Sequence, residues 1–285
     1  MNLDALRAHR FESRRIEYDD KDTILYAISV GAGRDPLDEY DLRLVYEKDL
    51  HALPTQAAVL AHPGAWIGDP KFGVNFLKLL HGEQSLEVHN PLPAQARIEA
   101  AYRIVAVADK GEGKGALVYF EKALGNAETG QPLCTVSSTL FLRADGGCGS
   151  FGTAPPPLAP APDQGFEVLD ELKTGENWAL LYRLNGDRNP IHVDPAAGAK
   201  AGFERPILHG LCTYGIAGYL LVRSACGHDP SRLRSLNVRF SAPVFPGESI
   251  RLEGVRAPDG VYFRAVVPER NQVVLSQGFA RILPP

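Results

Sequence analysis

Residues 207–225 read ILHGLCTYGIAGYLLVRSA, and the helix that they predict is apolar on nearly every side. A surface helix carries one apolar stripe, whereas a helix that is apolar all round lies inside a protein. Gly210, Gly215 and Gly218 lower the intrinsic helix propensity, so packing must stabilise the segment. The pattern predicts a central helix enclosed by a sheet.

The strands that would enclose this helix are predicted twice along the chain. In each half, an extended segment leads through a proline-containing turn into a second strand. The matching segments are 84–93 followed by 97–108, 236–247 followed by 250–257, and the similar closing stretches 133–143 and 273–283. The first-half counterpart of the central helix is 53–61, with Pro54 near its start. The duplication predicts an α+β protein built from two repeats.

A proline-dense stretch, APPPLAPAP at residues 154–162, marks the boundary between the repeats. Proline lacks an amide donor and favours extended backbone, which is typical of a linker. We therefore divide the chain into a first repeat at 1–150, a linker at 151–166 and a second repeat at 167–285.

The composition is that of a folded protein with a sizeable core. The chain has 285 residues, of which 45% are hydrophobic and 22% charged, and its net charge is -4. A chain with this net charge does not have the excess of basic residues that nucleic-acid binders and membrane-surface binders carry. We expect a small-molecule partner or another copy of the chain, with no nucleic acid and no membrane.

The four cysteines lie far apart and form no C-x-x-C pair. This spacing favours reduced core thiols over a disulfide scaffold or a zinc knuckle. The N-terminal residues lack the apolar core of a signal peptide, and the chain has no run of 18 apolar residues. We therefore predict a cytoplasmic protein. The cysteines are Cys134, Cys148, Cys212 and Cys226.

The stretch 182–195 concentrates groups that can handle protons. Asp187, Asn189 and His192 fall within six residues, and Gly186 and Pro190 exclude a regular helix there. A rigid loop of this kind can aim side chains at a substrate. On spacing alone, a structural turn in which Asp187 caps local amides is an equal alternative.

A metal site on His192 and Asp194 is a weaker alternative. Two possible ligands separated by one residue are poor evidence, because a catalytic metal centre usually has three protein ligands. We expect no metal.

His209 and Gly210 stand where the central helix begins. The first amides of a helix have no intrahelical acceptor, so they can face an oxyanion. Close packing is the alternative reason for a glycine there. The chain also lacks a complete G-x-G-x-x-G, a G-x-S-x-G elbow and a Walker lysine, which disfavours a dehydrogenase, an α/β-hydrolase and a kinase.

The run from Tyr182 to Pro195, read with P-I-L-H-G at 206–210, resembles enoyl-CoA hydratase 2, a MaoC-like family. Further similar stretches are 22–32, 44–47, 53–55 and 79–84. The resemblance implies a double hot-dog fold with one active site per chain. The first repeat of this chain lacks D-x-N-P-x-H, so the resemblance implies that this repeat accommodates the acyl chain instead.

The resemblance also implies roles for individual residues. Asp187 and His192 would hold and deprotonate a water, Asn189 would support the site, and the Gly210 N–H would bind the thioester oxygen. The implied substrate-binding and supporting residues are His81, Gly82, Lys110, Phe240, Tyr26, Glu47 and His209.

The implied reaction is reversible hydration of a trans-2-enoyl-CoA to the (3R)-3-hydroxyacyl-CoA, with no cofactor beyond the CoA thioester itself. An acyl-CoA thioesterase and a non-catalytic acyl-CoA-binding module remain alternatives. The resemblance further implies a homodimer, and we expect a stand-alone enzyme. Two departures from the family pattern are Asn185, where we expect a serine, and the divergent stretch 65–73.

Overall fold

The computed structural model describes residues 1–284. Its strands form where buried and accessible side chains alternate, as along Ala116–Asn126. This period of two is the signature of a sheet with one face against a core. The strands are β1 (Arg14–Tyr18), β2 (Leu79–Val88), β3 (Ala96–Asp109), β4 (Ala116–Asn126), β5 (Pro132–Leu142), β6 (Phe151–Gly152), β7 (Glu167–Lys173), β8 (Leu233–Phe240), β9 (Ser249–Ala257), β10 (Gly260–Val267) and β11 (Gln272–Ile282).

All ten main strands belong to one sheet, in the order β1-β3-β4-β5-β2-β8-β11-β10-β9-β7, with β6 beside β3. The two repeats meet where β2 pairs antiparallel with β8, so that Glu83 lies opposite Arg239. These two side chains form an ion pair of 2.6 Å. Joining the repeats in this way removes an unpaired edge from each of them.

The helices are α1 (Leu3–Ala8), α2 (Asp20–Ser29), α3 (Glu39–Val45), α4 (Trp178–Tyr182), α5 (Pro195–Lys200) and α6 (Gly210–Ser224). Helix α6 is the predicted central helix, and every residue from Cys212 to Val222 is buried. Burial on all sides confirms that the sheet encloses this helix. The α+β class and the two-repeat architecture are therefore as predicted.

Side chains from the first repeat pack directly against two glycines of α6. A Cβ on Gly215 would lie 2.7 Å from the Tyr26 hydroxyl oxygen, and one on Gly218 would lie 2.5 Å from Cγ2 of Thr55. Contacts this short leave no room for any larger residue. The glycines thus lower the helix propensity of α6 and allow the first repeat to pack closely against it.

The predicted first-repeat helix at 53–61 is reduced to a 3-10 turn, Pro54–Ala58. The buried ammonium of Lys122 donates to the carbonyls of Ala58 and Leu60, at 3.1 and 2.6 Å. Ala61 then adopts a left-handed conformation with φ of 49°. In a continuing helix these carbonyls would accept hydrogen bonds from amides one turn later. Here they accept from the Lys122 side chain on β4, and the helix ends.

The linker is shorter than predicted. Phe151 and Gly152 pair with Val107 and Ala106 of β3, so these two residues belong to the first-repeat sheet. Residues 153–166 have no regular structure, and β7 begins at Glu167. Among the described residues, no helix combines the length and the apolar character needed to span a bilayer.

Candidate active site

The loop predicted to carry the chemistry is shaped by a glycine that adopts a left-handed conformation. Helix α4 passes into a 3-10 turn, Arg183–Asn185, which ends at Gly186 with φ of 116°. Only glycine adopts such a φ without strain. The reversal of direction at Gly186 places Asp187 at the start of the catalytic segment.

Asp187 and Asn189 hold this segment through short-range hydrogen bonds. The Asn189 amide donates to Oδ1 of Asp187 at 3.1 Å, and Oδ1 of Asn189 accepts from the Ile191 amide at 3.2 Å. Asn189 therefore caps the 3-10 turn Pro190–His192. Its position agrees with the supporting role implied by the resemblance, because the cap orients His192.

His192 is held in one tautomer. Its Nδ1 lies 2.9 Å from the carbonyl oxygen of Ile207, which can only accept a hydrogen bond. The proton must therefore be on Nδ1, and Nε2 keeps a free lone pair. Burial lowers the pKa of His192, against the opposing effects of the Ile207 hydrogen bond and the Asp187 carboxylate. The side chain is a neutral base at physiological pH.

His209 lies directly behind His192. The two rings stack with centroids 3.7 Å apart and planes 25° apart. Nε2 of His209 donates to the backbone carbonyl of Asp187 at 3.1 Å. One polar atom from each of Asp187, His192 and His209 lies within 4.8 Å of the other two. Because His209 is only 1% exposed, the structure places it behind the site instead of at its accessible surface.

The same three residues are the only group among the described residues with the spacing of a metal site. Two of the ring nitrogens already form hydrogen bonds to backbone carbonyls, Nδ1 of His192 to Ile207 and Nε2 of His209 to Asp187. Asp194, the ligand weighed in the sequence, caps α5 by accepting from the Ala196 amide at 2.8 Å.

Gly210 presents an available amide at the N-terminus of α6. As the first residue of the helix, it has no intrahelical acceptor, and no side chain caps this end. The residue is exposed. A Cβ there would lie 3.3 Å from Cε1 of Phe240, so the Phe240 ring packs beside the Cα of Gly210. A free amide at a helix N-terminus is able to bind an oxyanion.

Two of the implied substrate-binding residues, His81 and Gly82, lie on β2 near Phe240. The ring of His81 lies 4.8 Å from that of Phe240. Next to it, Gly82 forms a β-bulge, because the register with β5 shifts between His81 and Glu83. Bulges often re-aim side chains beside functional sites. The sheet therefore brings His81, Gly82 and Phe240 to the Gly210 end of α6.

Three other implied residues lie elsewhere. Tyr26 is 1% exposed and packs against α6, with its ring 6.3 Å from that of Tyr182, so it supports the site from behind. Glu47 is exposed on the turn after α3, and it forms no hydrogen bond or ion pair within residues 1–284. Lys110 is exposed in the turn between β3 and β4. Within residues 1–284, neither Glu47 nor Lys110 forms a side-chain hydrogen bond or ion pair with the loop at 182–195.

The sequence analysis missed His62. Desolvation lowers the pKa of three further histidines, His62, His81 and His209, to about 4, and the Asp187 carboxylate opposes this lowering in each of them. Two of these, His62 and His81, come from the first repeat. No motif surrounds His62, and its nearest unusual feature, the left-handed Ala61, is visible only in the structure.

Buried polar atoms without partners are concentrated around this loop. Native proteins pair nearly all buried polar groups, so a cluster of exceptions marks a functional region. Among residues 1–284, five of the seven such atoms lie on residues named above or on Arg183, namely the hydroxyls of Tyr26 and Tyr182, Nε2 of His81, Nε of Arg183 and Nδ1 of His209; the other two are Oγ1 of Thr55 and Oε1 of Gln277.

Comparisons with known proteins show the family of the chain. Residues 16–144 match the MFE-2 hydratase 2 N-terminal domain, and residues 157–276 match the MaoC like domain. The chain is 36% identical to the peroxisomal enoyl-CoA hydratase 2 of Arabidopsis thaliana, over 96% of this chain and 94% of that protein. The chain belongs to the MaoC-like enoyl-CoA hydratase 2 family.

Other relatives extend the match over the whole fold. The 3-hydroxyacyl-thioester dehydratase Y of Mycobacterium tuberculosis is 40% identical, over 94% of this chain and 90% of that protein. A MaoC-like dehydratase from Phytophthora capsici superposes with a TM-score of 0.88 at 31% identity, covering 100% of both chains. A Mycobacterium tuberculosis protein described as a double hotdog fold matches at a TM-score of 0.57 and 15% identity. The double hot-dog fold is confirmed.

Proposed function

We propose that this chain is a hydro-lyase that adds water reversibly to a trans-2-enoyl-CoA and forms the (3R)-3-hydroxyacyl-CoA. The observation that carries the proposal is the cluster of Asp187, His192 and His209, because His209 directly precedes Gly210, the uncapped first residue of α6. The names of the two relatives above, an enoyl-CoA hydratase 2 and a 3-hydroxyacyl-thioester dehydratase, describe the two directions of this reaction.

The nucleophile is a water held by Asp187 and His192. Two acceptors that each receive a hydrogen bond of about 2.8 Å from one water lie roughly 4.5 Å apart. One polar atom from each residue of this cluster lies within 4.8 Å of the others, which is the spacing at which a water can lie between two side chains of the cluster. Nε2 of His192 then takes a proton while the oxygen bonds to C3, and the proton is returned to C2.

The negative charge that develops during addition collects on the thioester oxygen. The amide of Gly210 is aimed at that oxygen and needs no rearrangement during the reaction. A preorganised donor of this kind is typically worth about 3 kcal/mol, or two orders of magnitude in rate. His81, Gly82 and Phe240 contact the thioester in this proposal, and Lys110 contacts a more distant part of the CoA.

The addition takes place on one face of the planar enoyl group. Both proton-handling groups come from one loop, and α6 fixes the thioester oxygen, so water reaches C3 from a single side. Family membership supports the 3R product. No metal, flavin or nicotinamide takes part in this scheme.

The assay that tests the proposal mixes the protein with crotonyl-CoA and with longer enoyl-CoA substrates. We expect loss of the enoyl absorbance without release of free thiol. Thiol release would identify a thioesterase, and binding without either change would identify an acyl-CoA-binding module. Oxidation of the product by a (3S)-specific dehydrogenase would contradict the 3R assignment. The Asp187→Asn variant measures the background rate of hydration.

We also propose a homodimer in the cytoplasm, acting in fatty-acid β-oxidation. Three exposed apolar side chains at the start of β2 support self-association: Phe76 at 42%, Leu77 at 94% and Leu80 at 43% exposure. The four cysteines are unpaired, which suits a reducing compartment. Sedimentation tests the dimer, and microscopy of the tagged protein tests the compartment.

A further inference from the structure

His209 touches both parts of the proposed catalytic machinery. Its ring stacks on His192 at 3.7 Å, and its Nε2–H donates to the Asp187 backbone carbonyl at 3.1 Å. The next peptide group carries the Gly210 amide, which is the proposed oxyanion donor. One side chain therefore connects the groups that activate water to the group that binds the thioester oxygen.

The ring of His209 has no surface left for a substrate. His192 covers one side, the Tyr182 ring lies 5.0 Å away, and the residue is 1% exposed. Its remaining polar atom, Nδ1, is buried without a partner. A direct contact with the acyl-CoA, as the resemblance implied for His209, does not fit this burial.

The protonation state of His209 follows from its surroundings. The Asp187 carbonyl can only accept, so Nε2 carries a proton. Desolvation and then the neighbouring His192 lower the pKa of His209 to about 4, with a further lowering by Arg183 and an opposing effect of Asp187. His192 therefore stays covered by an uncharged ring throughout the physiological range.

We propose that His209 is a positioning residue that sets the distance between the water held by Asp187 and His192 and the amide of Gly210. The inference rests on the proposed hydratase function. Because the reacting atoms must be aligned closely, a displacement of about 1 Å can cost roughly 10²-fold in rate. His209 controls this alignment through a hydrogen bond on one side of the loop and a stack on the other.

Two substitutions separate the hydrogen bond from the stack. His209→Phe keeps an aromatic ring against His192 but loses the donor to Asp187. His209→Gln keeps a donor at a similar reach but uncovers His192. His89→Gln is the matched control, because the His89 ring also forms one hydrogen bond, to Thr135 at 2.8 Å, just beyond the far end of β2.

We expect both variants to lower kcat by about 10²-fold with an unchanged KM, and His89→Gln to leave both constants unchanged. NMR titration of the eight labelled histidines gives a readout that does not depend on activity. The pKa of His192, which Asp187 and the Ile207 carbonyl also affect, should rise in His209→Gln because desolvation is relieved. It should stay unchanged in His209→Phe.

The outcomes distinguish the inference from the proposed function. A raised KM with normal kcat in both variants would identify His209 as a substrate contact and overturn the inference. An unchanged His192 pKa in His209→Gln would overturn it as well, even in an active hydratase. If the wild-type protein hydrates no enoyl-CoA, the proposed function fails, while the titration still reports whether His209 covers His192.

Discussion

The side-chain amide of Asn185 donates a 2.9 Å hydrogen bond to the hydroxyl of Ser29, a residue 156 positions earlier in the chain. Ser29 donates in turn to the Tyr26 carbonyl at 2.7 Å. Asn185 belongs to the turn that leads into Asp187, and Ser29 is the last residue of α2. The first repeat therefore holds the catalytic loop of the second.

Removing this bridge should affect activity more than stability. Ser29→Ala deletes the acceptor, which costs about 1 kcal/mol in unfolding free energy, and we expect kcat to fall roughly tenfold because the loop is less well fixed. The control is Ser224→Ala, which also deletes a hydroxyl, bonded to Leu220 at 2.7 Å, but away from the loop. Equal kcat values in the two variants would mean that the bridge is only structural.

Asp187→Asn and His192→Asn should each lower kcat by roughly 10²–10⁴ while the fold is retained. Asn at 187 keeps the acceptor for the Asn189 amide, and an Asn amide at 192 can occupy the place of Nδ1 and donate to Ile207. Each variant thus loses proton handling and keeps its local hydrogen bond. Steady-state kinetics measures the loss of kcat, and thermal unfolding measures whether the fold is retained. Near-normal turnover in either variant would contradict the mechanism.

Gly210→Pro tests the oxyanion donor without disturbing the helix. Proline is favoured at the first position of a helix, and His209, with φ of -59° and ψ of 133°, has the conformation that a residue before proline requires. We expect kcat to fall by about 10²–10³-fold. Gly210→Ala is the control, since it makes the same Cβ contact with Phe240 but keeps the N–H. If both variants lose activity equally, the side-chain contact and not the amide is responsible.

The buried ammonium of Lys122 predicts how stability depends on pH. Desolvation lowers its pKa from 10.5 to about 7 in the folded protein. Between these two values the unfolded chain binds more protons than the folded one, so the unfolding free energy rises with pH. Denaturant unfolding of wild type and Lys122→Met across this window should show the rise in wild type only. Parallel curves would contradict the assignment.

Activity should survive exhaustive chelation. The thioester already activates C3 of the substrate, and Nε2 of His209 is engaged by the Asp187 carbonyl. We expect equal kcat before and after EDTA treatment. Loss of activity that zinc or manganese restores would replace the proposed water with a metal-bound hydroxide.

The sequence alone determined those features that depend on neighbours along the chain. The all-round apolar pattern of 210–224 predicts a buried helix because no other environment accepts it. Asp187, Asn189, Pro190 and His192 lie within six residues, so turn and capping chemistry alone largely fixes their mutual arrangement. The repeated order of extended segment, proline-containing turn and strand likewise predicts the strands and the duplication.

Tertiary structure decided which distant residues meet. The pairing of β2 with β8 brings His81 to Phe240, and the packing of α2 against the catalytic loop brings Ser29 to Asn185. Sheet register and helix packing set these contacts, and neither leaves a local pattern at the residues concerned. For the same reason the sequence did not reveal His62, the exposed position of Glu47 or the burial of His209. The helix expected at 53–61 ends early because Lys122, on a distant strand, satisfies its carbonyls.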